Sequence, residues 1–366
     1  MNSSCEIRKN WKLNNYFYHL IELMLGGNSM NIIRKINLKG CFSLAMAAAF
    51  AAIPVTADAE EKLKEGERFE LTILQTNDFH GHLDDIVMLD DGTVHHNSIA
   101  KYATIIENVR NEEENVLLVD GGDVFLRGEF QAGQGELETS LLKDLDYDAM
   151  ALGNNDFRVY PAGEGTPDSR YEQLKNYHRN VNFPILTGNV IEKETGKYIQ
   201  NVKPWKGFTF KGVKVGMIGL TSMKPEIRGW DDVADLDFIE PVEALNALLP
   251  EVSEKSDVNI VLSHAGNPED HKLAQVPGVS AVIGADTHKV IETPEYEFNG
   301  EVMVPITQAG GEQEHYLGRL NLTFEVVDAK MTLVESDGFL YDVTNVPANP
   351  EIQAIIDDYR ADLKAQ

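Results

Sequence analysis

The sequence predicts a layered α/β domain in which helices pack outside a sheet. Short apolar runs typical of strands alternate with amphipathic helical segments from Leu71 to Ile283. Strand-like segments without helices follow Glu301, and a polar loop follows several of the strands. Such alternation is typical of sheets covered by helices. Because strand signals continue evenly from Leu71 to Leu340, we expect one domain rather than two.

Apolar periodicity defines the expected elements. Strands are expected at Leu71–Thr76, Val116–Val119, Ala149–Leu152, Pro184–Thr187, Val213–Leu220, Val258–Leu262 and Val279–Ile283. Helices are expected at Ser98–Asn111, Glu136–Leu145, Pro241–Ser253, Glu269–Ala274 and, near the end of the chain, Glu351–Lys364. An antiparallel edge, with a turn at Gly310-Gly311, is expected from three successive strands at Val302–Thr307, Tyr316–Glu325 and Met331–Tyr341.

Residues 1–59 read as a leader. Basic residues between Met30 and Lys39 precede an apolar run from Cys41 to Ile53, and Ala-Asp-Ala ends at Ala59. This is the order of a secretory signal peptide, and the apolar run is shorter than the roughly 20 residues of a membrane span. We therefore expect export with cleavage after Ala59, and an uncleaved anchor is the alternative.

The expected organisation follows from this leader. It comprises a leader at 1–59 with the signal at about 30–59, a main domain at 60–341 and a C-terminal helix at 342–366. Both cysteines, Cys5 and Cys41, lie in the leader. The exported protein would therefore have neither a thiol nor a disulfide.

The charge of the chain excludes one class of partner. The formal net charge is −27, and the excess of acids lies after the leader. Such a surface repels nucleic acid and anionic lipid, so we expect no nucleic-acid partner. Because the apolar run of the leader is short, we also expect no stable membrane anchor. It also repels a phosphorylated substrate unless bound cations reverse the local potential. The sequence carries no signal for the oligomeric state.

Candidate functional side chains follow five of the expected strands. In chain order they are Asp78, His80, Asp123, Asn154, His264, Asp286 and His288. Asp78 and His80 are expected to point the same way because strand side chains alternate. Ligands collect at the carboxyl ends of strands in α/β sheets, although one such residue alone is most often a turn or cap residue. Together they predict a cleft for two divalent metals, a centre suited to phosphate ester hydrolysis.

Three nearby residues have open assignments. Asp123 follows two glycines that permit a tight turn and is expected to bridge both metals, with Asp120 as the alternative. His82 is expected either to line the cleft or to lie on the surface. Arg127 is expected either to contact a substrate phosphate or to pair with surface acids.

The motifs carry a specific resemblance. TNDFHGHL, DGGDVF, LGNNDF, LSHAG, GADTH and QAGGEQEHYLGRL resemble, in order and spacing, the metallophosphoesterase domain of the 5′-nucleotidase/UDP-sugar hydrolase family. The resemblance implies a calcineurin-like β-sandwich flanked by helices and a small phosphorylated substrate. It implies that one metal binds Asp78, His80, Asp123 and His288. It implies that the other metal binds Asp123, Asn154, His264 and Asp286, with Asn154 also meeting the phosphate.

The chain departs from the family pattern at three points. Asn155 and Arg158 stand where the family has a catalytic histidine and its orienting aspartate, which implies a chemical step slowed by about 10²–10⁴-fold. Asp286 replaces a metal-binding histidine, which favours manganese, magnesium or calcium over zinc. The alternative is that Asp286 is a turn residue and that the second metal is weak or absent. The family's second domain, which supplies the nucleoside clamp, is expected to be absent.

The sequence therefore predicts an exported two-metal phosphoesterase, 5′-nucleotidase-like and of reduced activity. A non-catalytic protein that binds metal or a phosphate ligand is the alternative, because Asn155 cannot deliver a proton.

Overall fold

The computed structural model describes residues 62–88, 92, 94–125, 127–158, 164–224, 227–311 and 314–365. These residues all belong to one unit, Glu60–Gln366. The expected leader and its apolar run lie outside the described residues. Within the described ranges, no helix has both the length and the apolar character needed to cross a membrane.

The elements expected from apolar periodicity are present, and the structure adds one helix and several strands that the periodicity did not predict. The helices are α1 (Ile99–Glu112), α2 (Glu136–Asp144), α3 (Pro167–Asn180), α4 (Pro241–Lys255), α5 (Asn267–Ala274) and α6 (Pro350–Ala365). The strands are β1 (Arg68–Thr76), β2 (Asp84–Met88), β3 (Val94–Ser98), β4 (Val116–Asp120), β5 (Ala149–Ala151), β6 (Ile185–Leu186), β7 (Val190–Glu192), β8 (Trp205–Phe210), β9 (Val213–Thr221), β10 (Leu236–Phe238), β11 (Val258–His264), β12 (Ala281–Ile283), β13 (Glu295–Phe298), β14 (Met303–Thr307), β15 (Gly310–Gly311), β16 (Glu314–His315), β17 (Leu317–Val327) and β18 (Lys330–Tyr341).

Two 6-stranded sheets form the framework. The first has the order β18-β17-β1-β4-β5-β6, and the second has the order β13-β14-β12-β11-β9-β8. In the first sheet, the pairs β1–β4, β4–β5 and β5–β6 are parallel. In the second sheet, the pairs β14–β12, β12–β11 and β11–β9 are parallel. Antiparallel pairs lie at the edges of both sheets.

Apolar side chains pack in layers between and outside the sheets. Ile73 of β1 and Leu262 of β11 belong to the core between the sheets. Leu74, the next residue in β1, faces the core that includes α1, α2, α3 and α6, while α4 and α5 cover the second sheet. Central strands are thus buried on both faces, which explains their continuous apolar runs. The predicted layered α/β fold, a β-sandwich flanked by helices, is confirmed.

The structure corrects the antiparallel edge expected after Glu301. β17 and β18 form such an edge on the first sheet, but β14 pairs with β12 and β13 in the second sheet. The expected turn at Gly310-Gly311 is instead the short strand β15, which pairs with β16. Strand composition did not reveal which sheet each strand joins, because that choice depends on long-range packing.

Candidate metal centre

The candidate side chains come from the carboxyl ends of parallel strands in both sheets. In the first sheet, Asp78 and His80 follow β1, Asp123 follows β4 and Asn154 follows β5. In the second sheet, His264 ends β11, and the two candidates that follow β12 are Asp286 and His288. The two rows of strand ends meet at one edge of the sandwich. The structure brings all seven of these side chains together there.

Asp78 Oδ1 is at the middle of the cluster. His288 Nε2 lies 3.3 Å from it, and the Nε2 atoms of His80 and His264 each lie 3.9 Å from it. The Nε2 atoms of His80 and His288 are 3.3 Å apart. Ring nitrogens gathered around one carboxylate oxygen are the arrangement expected of ligands that share a cation.

Asp123 is the second carboxylate of the cluster. Its Oδ2 lies 3.3 Å from His264 Nε2 and 3.7 Å from His80 Nε2. The loop after β5 comes so close that a Cβ on Gly153 would clash with Asp123 Oδ1. Asp120, the alternative bridging residue, is occupied elsewhere, since Thr76 Oγ1 and Gly122 N donate to its carboxylate.

Hydrogen bonds aim the cluster's atoms inward. His264 Nδ1 lies 2.8 Å from the carbonyl oxygen of Gly121, which leaves Nε2 facing the centre. Asp78 Oδ2 accepts from Asn77 Nδ2 at 2.7 Å and from the Asp286 backbone at 3.0 Å, which leaves Oδ1 facing the centre. The Gly121 and Asp286 bonds also join the loops of the two sheets.

Most of these loops adopt an uncommon backbone conformation. The φ angles are 54° at Asp78, 48° at His80, 57° at Asp123, 74° at Asp286 and 52° at His288. Such left-handed residues cost of order 1–3 kcal/mol each and cluster at functional sites. The explanation from strand alternation was wrong, because β1 ends at Thr76 and left-handed turns aim the Asp78 and His80 side chains.

Asn154 and Asp286 form the other side of the cluster. The Asn154 side-chain amide lies 3.0 Å from Asp286 Oδ1, and its nitrogen donates to that oxygen in the orientation that satisfies both ends. Asp286 Oδ1 is also 3.7 Å from His264 Nε2 and 2.6 Å from Lys224 Nζ. Asn154 has φ −69°, in the right-handed region, so it is not the left-handed turn residue that asparagine often is.

Buried carboxylates control the charge of the imidazoles. Burial lowers the pKa of His264, but Asp123 and Asp78 outweigh burial and hold that pKa well above its usual range. Burial lowers the pKa of His80, and the same two carboxylates offset this only in part. Burial raises the pKa of Asp286, although His264 opposes the change. Carboxylates that raise the pKa of a neighbouring imidazole also attract a cation, and a bound cation would oppose protonation of that imidazole.

Asn155 contacts the cluster directly. It lies in a short 3₁₀ turn, Asn155–Phe157, and its Nδ2 donates to Asp123 Oδ2 at 2.7 Å. Its backbone nitrogen also donates to Asp123 Oδ1 at 2.6 Å. Arg158, at the position of the family's orienting aspartate, stacks on Trp230 with its guanidinium carbon 4.4 Å from the ring centroid. The two residues therefore do not form a pair like the one that they replace.

Two further candidates are Arg127 and His82. Arg127 is exposed on the loop after Asp123 and has φ 77°. Burial and the two carboxylates have the largest effects on the pKa of His80, and the Arg127 guanidinium lowers that pKa further. The charge of Arg127 therefore acts near the cleft. His82 Nδ1 bonds Asp85 in the segment that opens the β2–β3 hairpin.

Sequence reasoning missed three residues that support the site. Asn77 holds Asp78 and also donates to the Gly310 carbonyl at 2.6 Å. Asp156 accepts from the backbone nitrogens of Asp123 at 2.9 Å and Gly153 at 2.8 Å, and so ties two loops together. Lys224 contacts Asp286. The Asn-Asp and Asn-Asn-Asp runs were a signal for the first two, whereas the loop around Lys224 offered none.

The cluster fits a divalent cation. Ligand atoms of Asp78, His80 and His288 lie within 4.8 Å of one another, as do those of Asp78, Asp123 and His264. Asp78 Oδ1 and His264 Nε2 are buried and have no hydrogen-bond partner. An unsatisfied buried polar atom costs about 1–3 kcal/mol, so a cation held between them would remove a real penalty. The mixed oxygen and imidazole set suits a divalent metal.

Known proteins match this chain across the site. A family model described as calcineurin-like phosphoesterase matches residues 71–290, a range that contains every candidate ligand. Protein UshA of Salmonella pullorum is 32% identical over 238 residues, which cover 63% of this chain and 40% of UshA. The 5′-nucleotidase of Bos taurus is 31% identical over 325 residues, which cover 81% of this chain and 53% of that protein.

A solved structure agrees in fold. The crystal structure of the 5′-nucleotidase precursor from Thermus thermophilus has a TM-score of 0.69 and 27% identity. The match covers 81% of this chain and 59% of that one. The chain spans about half the length of the curated relatives that it matches.

Proposed function

Because the chain belongs to the calcineurin-like phosphoesterase family, we propose that it is an exported, metal-dependent hydrolase of small phosphate esters, 5′-nucleotidase-like and of reduced turnover. The observation that carries this proposal is the convergence of Asp78, His80, Asp123, His264 and His288. Within this group, Asp78 Oδ1 and His264 Nε2 are buried and have no hydrogen-bond partner. A structural role alone does not account for that geometry, because it leaves polar atoms unsatisfied.

The proposed ligands divide into two cation positions. The first uses Asp78, His80, Asp123 and His288, and the second uses Asp123, Asn154, His264 and Asp286. Divalent cations bound there would supply Lewis-acid stabilisation of the charge that develops on the phosphoryl oxygens. The chain's own residues hold the ligands in place: Gly121 fixes the His264 ring, and Asn155 holds both oxygens of Asp123.

Substrate contacts are proposed for two residues. Asn154 lies beside Asp286. With a cation bound, its amide would turn so that the oxygen meets the cation and the nitrogen donates to a phosphate oxygen. Arg127 is exposed and its charge acts on His80, which supports a contact with a substrate phosphate. Arginine suits this role because its planar guanidinium donates two parallel hydrogen bonds to phosphate.

Reduced turnover follows from Asn155. Its side-chain amide already donates a hydrogen bond to Asp123, and an amide is too weak an acid to protonate a leaving group. Arg158 is turned toward Trp230 and does not orient it. The same contacts favour a second candidate function, a non-catalytic protein that binds metal or a phosphate ligand at this site.

The metal preference is proposed from the ligand set. Asp78, Asp123 and Asp286 supply carboxylates, which are harder ligands than imidazole. We therefore expect hydrolysis to be supported by manganese, magnesium or calcium in preference to zinc. Metal analysis of the purified protein checks this expectation, and two stoichiometric zinc ions would contradict it.

The test of the function is a screen of chromogenic phosphomonoesters and phosphodiesters with each of these metals. The wild-type protein should show metal-dependent hydrolysis, and Asp123→Ala should lower turnover by about 10²–10³-fold or more. Asp144→Ala, which removes an exposed acid at the end of α2, is the matched control and should leave turnover unchanged. Equal rates for the wild type and Asp123→Ala would end the enzyme proposal in favour of the binding protein.

The export and domain proposals concern the ends of the chain. We propose a leader at 1–59, a phosphoesterase domain at 60–341 and a C-terminal helix at 342–366, with α6 packing Ile352 and Ile356 into the main core. N-terminal sequencing of the protein recovered outside the cytoplasm should begin at Glu60. Recovery of intact chain in the cytoplasm would oppose export.

A further inference from the structure

A lysine contacts one of the ligands proposed for the second cation. Lys224 follows β9, which pairs in parallel with β11, so its loop opens at the same sheet edge as His264. Lys224 Nζ is 2.6 Å from Asp286 Oδ1. No motif marks this residue in the sequence, and its contact with a candidate ligand emerges only from the fold.

Two other ligands proposed for the second cation, Asn154 and His264, also lie near Asp286 Oδ1. The Asn154 amide lies 3.0 Å from it, and His264 Nε2 lies 3.7 Å from it. An ammonium group and a divalent cation would therefore require the same carboxylate oxygen. At the first position the neighbours of Asp78 Oδ1 are instead the imidazoles of His80 and His288, which are metal ligands when neutral.

We infer that Lys224 is a tethered cation that occupies the second metal position and makes the two positions unequal. The inference rests on the proposed function, because it concerns how tightly each of two divalent cations binds to that same centre. The first divalent cation binds Asp78, His80, Asp123 and His288 without displacing a charged group. The second must separate Lys224 from Asp286.

The environment of the ion pair sets the size of this effect. The Asp286 side chain is 2% exposed and the Lys224 side chain is 42% exposed, so the lysine can swing into solvent while the carboxylate stays in place. A hydrogen bond to a charged group is worth more than a neutral one, and its loss corresponds to about tenfold or more in affinity. The second cation should therefore bind at least about tenfold more weakly than it would without Lys224.

This arrangement also changes the charge that a substrate meets. With one divalent cation bound, the Lys224 ammonium still places a positive charge beside Asp286 and opposes the repulsion of a phosphate dianion by the carboxylates. The centre would then act with one metal and one lysine at low metal concentration.

Titration of metal-free protein with Mn²⁺ tests the inference. Isothermal calorimetry should show one tight and one weak equivalent for the wild type, and electron paramagnetic resonance should show an isolated Mn²⁺ signal after one equivalent. Lys224→Met should bind the second Mn²⁺ at least about tenfold more tightly and show exchange-coupled Mn²⁺ at lower metal concentration. Lys224→Gln should shift the affinity in the same direction, which guards against a folding defect in one variant.

Lys255→Met is the matched control. Lys255 is 55% exposed and pairs with Glu251 at 2.7 Å on α4, so the variant removes an equal charge and a similar ion pair outside the cluster. It should titrate like the wild type.

Two outcomes would overturn the inference alone. These are equal binding of two Mn²⁺ by the wild type, or identical second affinities for the wild type and both Lys224 variants, while Mn²⁺-dependent phosphoester hydrolysis persists. If no variant and no wild-type sample bound Mn²⁺, the inference and the proposed function would both fail.

Discussion

Replacing Asn155 with histidine and Arg158 with aspartate should raise the turnover of the metal-loaded protein by about 10²–10⁴-fold. The Asn155 amide now donates to Asp123, and the Arg158 guanidinium stacks on Trp230. Histidine would provide a group that can carry charge and transfer a proton. Aspartate at position 158 would accept from that imidazole and fix its tautomer, as a base-orienting group must.

Steady-state turnover of a chromogenic phosphomonoester measures this gain. Arg158→Asp alone should give no gain, because an aspartate without the imidazole has nothing to orient. Arg179→Asp makes the same charge change at an exposed residue of α3 and is the control for altered surface potential. Unchanged turnover of the double variant, with its metal content verified, would show that Asn155 does not limit the chemical step.

The second large effect is a pH-dependent stabilisation by Glu138→Gln. Glu138 lies in α2 with its side chain buried, and neither carboxylate oxygen has a hydrogen-bond partner. Burial raises its pKa from 4.5 to about 7. A buried carboxylate without a partner is unfavourable once it ionises.

The direction of the effect follows from proton linkage. Between pH 4.5 and about pH 7 the folded protein keeps a proton on Glu138 that the unfolded chain has lost. The free energy of unfolding therefore falls as the pH rises through this window, because the folded state binds more protons. The full loss, reached above the folded pKa, is about 3 kcal/mol. The stabilising contribution is fully present below pH 4.5.

Urea denaturation between pH 4.5 and pH 8 measures this loss. The wild type should lose about 3 kcal/mol more unfolding free energy over that range than Glu138→Gln does. Glu136→Gln changes an exposed glutamate of the same helix and should follow the wild type. Parallel pH curves for the wild type and Glu138→Gln would show that Glu138 is not protonated in the folded protein.

The parts of the fold that local pattern determines were predictable. Central strands such as β1 and β11 are buried on both faces and stand out as apolar runs. Helix α1 has an apolar face and begins at the Ser98 cap, so its bounds were predicted to within a residue. Long-range choices were not predictable, because β14 joins the second sheet through packing with β12 rather than through its own composition.

Polar elements were also missed. Helix α3 buries few apolar residues, among them Leu174 and Tyr177, so its periodicity is weak. Its start was signalled by Thr166 and Ser169, which form a capping box around Pro167. The β2–β3 hairpin contains mostly polar or charged residues and has no comparable signal.

At the site, the sequence indicated which strand ends converge but not how their side chains are aimed. The candidate ligands were predictable because polar residues follow buried parallel strands. The left-handed φ of Asp78 and His80 was not, because such a conformation is imposed by contacts between loops, including the bond from Asp286 N to Asp78. Lys224 was not predictable for the same reason, since its partner lies on another loop.

The most direct test of the central claim is an anomalous difference map from crystals of the protein grown with Mn²⁺. The strongest peak should lie inside the cluster, in contact with the side chains of Asp78, His80, Asp123 and His288. A well-ordered crystal structure with Mn²⁺ bound only at surface acids, and with no peak between these four side chains, would contradict it.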